Sequence, residues 1–262
     1  MLRALYSSAS GMESQQMNLD VIANNLANVN TTGFKKAKIE FQDLLYQTKR
    51  AAGSESGPGN QVPTSLQVGH GARPVSTAKI FTAGEIMSTG ERLDLAIHGN
   101  GFFKVTLADG TNAFTRDGGF KLDSTGQIVT SDGLPVTSFA GVTIGPEATN
   151  VSISQTGVVS VTQNGTTSTA GSLVLSRFAN PAGLENIGAN LYRETPASGT
   201  EQTGEPANAG MGTVQQGYLE LSNVKVVEEM VNLIKAQRAY EINSKAIQAA
   251  DEMMSMSNRL RG

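Results

Sequence analysis

LSNVKVVEEMVNLIKAQRAYEINSKAIQAADEMMSMSNRLRG, residues 221–262, decides how the rest of the chain is read. From Val226 the large side chains return at every seventh place: Val226, Leu233, Tyr240, Ile247 and Met254. A second series lies beside it, Ala236, Asn243 and Ala250, continued by Ser257. The alternating steps of three and four place one seam along one side of a long helix. No Gly or Pro after Leu221 interrupts it before Gly262. Glu228 and Glu229 near the start and Arg259 and Arg261 near the end suit the helix dipole. Such a helix spans about 55 Å, so its seam needs a partner.

The N-terminus supplies a matching pattern. Leu5, Met12, Leu19 and Leu26 recur every seven residues, with Leu2, Ala9, Gln16 and Ala23 in the complementary places. Gly11 is expected to cost this helix about 1 kcal/mol against Ala. Asn24, Asn25 and Asn28 crowd its last turns, and the run Asn30-Thr31-Thr32-Gly33 stops it. Next comes FKKAKIEFQDLLYQTKR, residues 34–50, which reads as extended or mixed structure with Lys35, Lys36 and Lys38 on a solvated face. Residues 51–65, rich in Gly, Ser and Pro, predict a flexible loop or hairpin tip, flanked by strands able to pair.

From Ala72 to about Gly217 the pattern is short strands between turns. LDLAI, FFKVTL, FKLD, QIVT, VSIS, VVSVTQ and LVLSRF are the clearest runs. The turn pairs Asp109-Gly110, Asp117-Gly118, Asp132-Gly133 and Asn164-Gly165 supply the positive φ of tight hairpins. Residues 195–212 predict a second flexible stretch. The fold class is therefore α+β. Long terminal helices form a coiled-coil-like pair, and a central antiparallel all-β domain is joined to them by an elongated β-hairpin-like segment. The expected boundaries are 1–30 (first helix), 31–71 (linker and hairpin), 72–217 (β domain) and 218–262 (last helix).

Composition narrows the function. The chain has 262 residues, net charge −3, 16% charged residues, 29 Gly, no Trp and no Cys. Without a basic block, nucleic acid is not an expected partner. Without Cys there is neither a disulfide nor a thiolate metal site. No run approaches the roughly 18 apolar residues of a membrane span, and the N-terminus lacks the apolar core of a cleavable signal peptide. His70 and His98 stand apart beside glycines. Three of the four acids Asp109, Asp117, Asp123 and Asp132 directly precede Gly, which turn chemistry explains. Gly99-Asn100-Gly101 lacks the third Gly of a dinucleotide loop and runs into a strand. No catalytic residue, cofactor or metal ligand is expected, and the chain is read as a non-enzyme.

Residues 22–34, IANNLANVNTTGF, resemble the N-terminal signature of the bacterial flagellar rod and hook axial proteins. Residues 222–254 resemble their C-terminal signature, and LAIHGNGFFKV, AFTRDGGFKLDSTGQIVTSDG and ENIGANLY resemble their middle β domain. The resemblance implies a structural subunit. The paired helices form the inner tube of a helical, hollow drive shaft that carries motor torque to the hook. Leu5, Met12, Leu19, Leu26, Leu233, Tyr240, Ile247 and Met254 would pack subunits, and Asn24, Asn25, Asn28 and Gly33 would shape the exit from the first helix. Chain length and the segment 41–75 point to the distal part of the rod; a proximal rod or hook subunit is the alternative. A secreted cell-wall-binding or hydrolytic β protein is a further one. Implied partners are copies of the chain itself, the proximal rod proteins, the hook protein, the L- and P-ring proteins and the flagellar type III export apparatus. The implied location is the basal body in the periplasm. One departure is Lys225, which stands where the family tends to place a small polar capping residue; a capping box with Glu228 is weakened.

Overall fold

The computed structural model describes residues 2–57, 60–139, 141–145, 148–163, 165–208 and 210–259. Pro58, Gly59, Asn164 and Arg261 lie outside the described residues, as does the side chain of Leu2. The contacts divide the chain into two units. A helical unit comprises Met1–Ala27, Ala37–Ala78 and Lys225–Gly262, and a β unit comprises Asn28–Lys36 and Lys79–Val224.

In the helical unit, α1 (Leu2–Ala27) packs along α2 (Val226–Arg259). α2 begins at Val226, where the seven-residue series begins, and its first intrahelical bond runs from the Glu229 N–H to the Lys225 carbonyl. Lys225 is thus the capping residue and has no side-chain acceptor to offer the free N–H groups. The helices run antiparallel: Asn25 meets Glu229, and Gly11 meets Asn243. A Cβ on Gly11 would lie 2.9 Å from Asn243 Nδ2. The glycine that weakens the isolated helix is therefore what lets α2 approach. The strands Ala37–Asp43 and Ala72–Lys79 pair, as do Tyr46–Arg50 with Leu66–Gly69 and Glu55–Gly57 with Asn60–Gln61. Of the two expectations for 51–65, flexible loop or hairpin tip, the strand pairs agree with the hairpin tip. Gly69 lets the Tyr46 ring cross its strand, 3.2 Å from where a Cβ would stand.

The β unit consists of small antiparallel sheets. The largest has the order Glu185–Gly188, Leu191–Arg193, Asn112–Thr115, Phe103–Thr106. A three-stranded sheet joins Ala148–Ile153, Val158–Gln163 and Thr166–Ser172. Leu95–His98 pairs with Thr213–Gln216, and Ile86–Ser88 with Tyr218–Glu220. Alternation sorts the faces: Phe103 and Val105 are buried, while Lys104 and Thr106 are half-buried. Leu95, Ile97, Val159 and Leu173 complete this core. Phe102, Phe114, Phe178, Leu184 and Tyr192 form a second, aromatic cluster with edge-to-face rings.

Two sequence expectations need correcting. Residues 195–212 hold the strand Gln202–Gly204, which pairs with Leu175–Arg177, and both Ser198 and Met211 are buried. Their polar composition serves local hydrogen bonds: Thr195 Oγ1 donates to the Gly183 carbonyl and Ser198 Oγ to the Thr195 carbonyl. Gly118 does not supply a positive φ. It makes room, since a Cβ there would stand 1.7 Å from the Leu95 carbonyl oxygen.

Candidate functional site

The side of α2 that meets α1 is lined by a seven-spaced series: Glu229, Ala236 and Ala250 are buried and Asn243 half-buried. Small side chains here allow the two helices to close up. The larger series flanks it. Leu233, Ile247 and Met254 are half-buried, and Tyr240 is 40% exposed. On α1, Leu5, Met12, Leu19 and Leu26 are all half-buried, while Ser14, Ile22 and Asn25 are fully buried. Each of the eight residues singled out from the sequence thus keeps surface free of its own chain.

α2 carries another apolar stripe that the heptad reading missed. Val227 (76% exposed), Met230, Val231, Ile234 and Ile242 (66%) are open to solvent, followed by Met253 and Met256. Val227, Met230, Val231 and Ile234 have the spacing of one helical face. The signal was present in the sequence, but the strongest seven-residue repeat concealed it: α2 is apolar on more than one side.

The exit from α1 is built on Asn25. Its Nδ2 donates to the Ala37 carbonyl at 2.9 Å, and its Oδ1 accepts the Ala37 N–H at 2.9 Å. The side-chain amide thus satisfies both backbone groups at the start of the strand Ala37–Asp43. Nδ2 also reaches Glu229 Oε2 at 3.4 Å, so one buried amide ties α1, this strand and α2 together. Asn24 is exposed and Asn28 half-buried; Asn28 accepts the Thr31 hydroxyl in the turn that follows. Asn25→Ala is expected to cost about 2 kcal/mol, because both Ala37 groups lose their partner. Urea unfolding followed by helical circular dichroism measures it, and a loss below the error of the fit would show the amide to be dispensable.

In the β unit, residues 33–36 enter a buried ion cluster that no motif announced. Gly33 adopts φ +67°, and its N–H donates to the Glu220 carbonyl at 2.8 Å. Lys35, expected on a solvated face, is instead wholly buried. Its Nζ donates to Glu220 Oε1 at 2.5 Å and to the Thr82 carbonyl at 2.7 Å. Arg116 Nη1 reaches Glu220 Oε2 at 3.3 Å, and the Gly84 N–H donates to Glu220 Oε1 at 2.9 Å. Burial pushes the Lys35 ammonium below its ordinary value, opposed by the Glu220 carboxylate and reinforced by Arg116. Burial also raises the nearby Tyr192 hydroxyl to about 12. Asn223 stitches the neighbouring segments, accepting the Lys36 N–H at 2.7 Å and donating to the Ile80 carbonyl at 2.7 Å.

These are arrangements for holding backbone in place and for presenting apolar surface. In chain order the terminal helices flank a β unit, the arrangement that the resemblance to the axial proteins implies. Three family models match in chain order. They are the flagella basal body rod protein over residues 5–35, the D1 domain of the flagellar hook protein FlgE/F/G over 96–161, and the C-terminal region of the flagellar basal body rod FlgEFG proteins over 215–260. The chain is 50% identical to the flagellar basal-body rod protein FlgG of Borreliella burgdorferi, covering 100% of this chain and 99% of that one. The FlgG of Caulobacter vibrioides is 47% identical over 99% of this chain and 100% of its own. The FlgF of the same organism is 36% identical over 95% and 94%. The chain belongs to the flagellar basal-body rod protein family and is a structural subunit of the rod.

Among the described residues no helix is long and apolar enough to cross a membrane.

Proposed function

We propose that the chain polymerises helically into the distal part of the rod, a hollow shaft that carries motor torque to the hook. In this reading α1 and α2 are a coiled-coil-like pair in the inner tube, and the exposed stripe of α2 is covered by neighbouring copies. The elongated hairpin-like segment within residues 31–71 reaches adjacent copies, residues 72–217 form the outer β domain, and residues 218–262 return the chain to the tube. Copies of the chain are the main partners. Proximal rod proteins, the hook protein and the L- and P-ring proteins are its neighbours in the basal body, within the periplasm, and the flagellar type III apparatus exports it. The distal position is supported by the higher identity to FlgG relatives than to the FlgF relative.

The observation that carries the reading is the stripe itself. Fully burying an exposed Val or Ile contributes about 1.5–3 kcal/mol, and covering the exposed part of Val227, Val231, Ile234 and Ile242 would contribute roughly half to three quarters of that each. Ile234 and Ile242 are 55% and 66% exposed, so a charge at either stays hydrated in the single chain; Ile234→Asp and Ile242→Asp are expected to keep the native melting curve and abolish polymers. Leu233→Asp and Ile247→Asp, half-buried against their own chain, are expected to abolish polymers and also loosen the helix pair. Sedimentation and electron microscopy of isolated basal bodies read the outcome. Full-length rods carrying Ile234→Asp would refute the assignment.

A further inference from the structure

The chain holds nine Met but neither Cys nor Trp. Against a two-electron oxidant, thioether sulfur is therefore its most reactive group. The fold sorts these sulfurs by place. Met211 is buried, and Met12 and Met254 are half-buried. Met17, Met87, Met230, Met253 and Met256 are exposed, and the last three lie on α2.

Those three share one side of the helix. Met230 stands with Val227, Val231 and Ile234 at the spacing of a single face. Met256 follows Val227 by about eight helical turns and so returns to that face. Met253 comes one turn before Met256. Ala236, about two and a half turns after Val227, lies on the opposite side and is buried where α2 meets α1. The exposed thioethers thus stand clear of their own chain, on the stripe that neighbouring copies would cover.

Oxygen transfer changes that surface. The thioether lone pair attacks one oxygen of hydrogen peroxide and the O–O bond breaks. The leaving hydroxide takes the proton of the transferred oxygen and becomes water, so sulfur loses two electrons and the peroxide gains them. An apolar, adaptable side chain becomes a polar sulfoxide. In the single chain water solvates the new oxygen, and the fold is unaffected. Under a neighbouring copy the oxygen needs a donor, and the side chains of Val227, Val231, Ile234 and Ile242 offer none.

We propose that Met230, Met253 and Met256 form an oxidation site that governs assembly. Peroxide oxidises them in the free subunit, their sulfoxides exclude it from the polymer, reduction readmits it, and the polymer shields them. The effect on assembly rests on the polymer reading; the selective oxidation does not.

The full-length protein is treated with hydrogen peroxide, and peptide mapping by mass spectrometry follows each methionine. Met230, Met253 and Met256 are expected to be oxidised at least about tenfold faster than Met211, with the melting temperature unchanged. Sedimentation reads polymerisation. The oxidised protein is expected to need about tenfold more concentration to polymerise, and methionine sulfoxide reductases A and B with dithiothreitol to restore it. The triple variant Met230→Leu, Met253→Leu, Met256→Leu is expected to polymerise normally and resist peroxide, while the double variant Met17→Leu, Met87→Leu stays sensitive. If the triple variant polymerises poorly by itself, the reductase time course decides: recovery follows reduction of the three α2 sulfoxides, not of Met17 and Met87. Oxidation of Met211 at the same rate, unchanged polymerisation after full oxidation, a peroxide effect that the triple variant retains, or equal oxidation of the three in polymer and free subunit overturns the proposal. Ile234→Asp, which touches no sulfur, separates two failures. If it polymerises, the covered stripe is wrong and the assembly effect falls with it. If it does not while the oxidised protein does, the stripe stands and the oxidation site alone falls.

Discussion

Glu220→Gln is expected to cost about 3–5 kcal/mol, because it leaves two buried cations facing each other with no carboxylate between them. Lys35 and Arg116 both lose their only acidic partner among the described residues. The neutral amide can still accept the Gly84 N–H through its one oxygen, so the backbone bond at 2.9 Å survives, but its NH2 takes the place of the oxygen that accepted from Arg116 Nη1, and that bond is lost together with the charge. Lys35→Met is expected to cost much less. It removes one of two cations, leaves a balanced Arg116–Glu220 pair, and replaces the buried stem with one of similar volume; the Thr82 carbonyl it abandons belongs to an exposed residue that water can serve. Two positive charges to one negative is thus the reason for the asymmetry. Urea unfolding of both variants measures it, and equal losses would show that hydrogen bonding, not charge, dominates the cluster.

The same cluster gives a pH dependence of known sign. Burial lowers Lys35 below its ordinary value of 10.5, so between the lowered value and 10.5 the native chain binds fewer protons than the unfolded one. Stability from this group therefore rises with pH across that window and is lost as pH falls through it. Lys35→Met should lack this rise, so the gap in stability between native protein and variant should shift in favour of the native protein as pH rises.

How far the sequence revealed the fold depended on whether a residue acts through period or through place. α2 was legible because a large residue at every seventh place is a property of the helix itself, whatever surrounds it. The strands around Phe103 and Val159 were legible for the same reason, with period two. Lys35 was not, because a lysine among lysines reads as solvated until its backbone is routed past Glu220, 185 residues away. Gly11 was read as a cost because a lone helix does lose by it; only the approach of Asn243 shows what it permits. Asn24, Asn25 and Asn28 were singled out together, and nothing local separates the buried Asn25 from Asn24, which is exposed. The distinction is made by Ala37, whose two backbone groups need the amide. Residues 195–212 were misread because Thr, Ser and Gly that serve turns have the composition of loops that serve nothing.

Gly33→Ala is expected to cost more than about 4 kcal/mol, beyond the ordinary range for one small substitution. Two causes combine. At φ +67° an L-residue is strained by roughly 1–2 kcal/mol. A Cβ would also lie 2.5 Å from Asp117 N and 2.7 Å from the Arg116 carbonyl carbon, and neither is a side chain that can swing aside. Relief requires moving residues 116–117, yet the Thr32 hydroxyl bonds Asp117 Oδ1 at 2.8 Å and Arg116 is fixed by Glu220, Ile97 and Gly99. Gly53 provides the control. Its φ is +80°, but no atom lies within 4 Å of where its Cβ would stand. Gly53→Ala should therefore show the backbone strain alone. The difference between the two variants in urea unfolding isolates the crowding at Gly33; if both lost the same 1–2 kcal/mol, the exit segment would have to be free to move away from Arg116 and Asp117, and the tight seat described for it would be wrong.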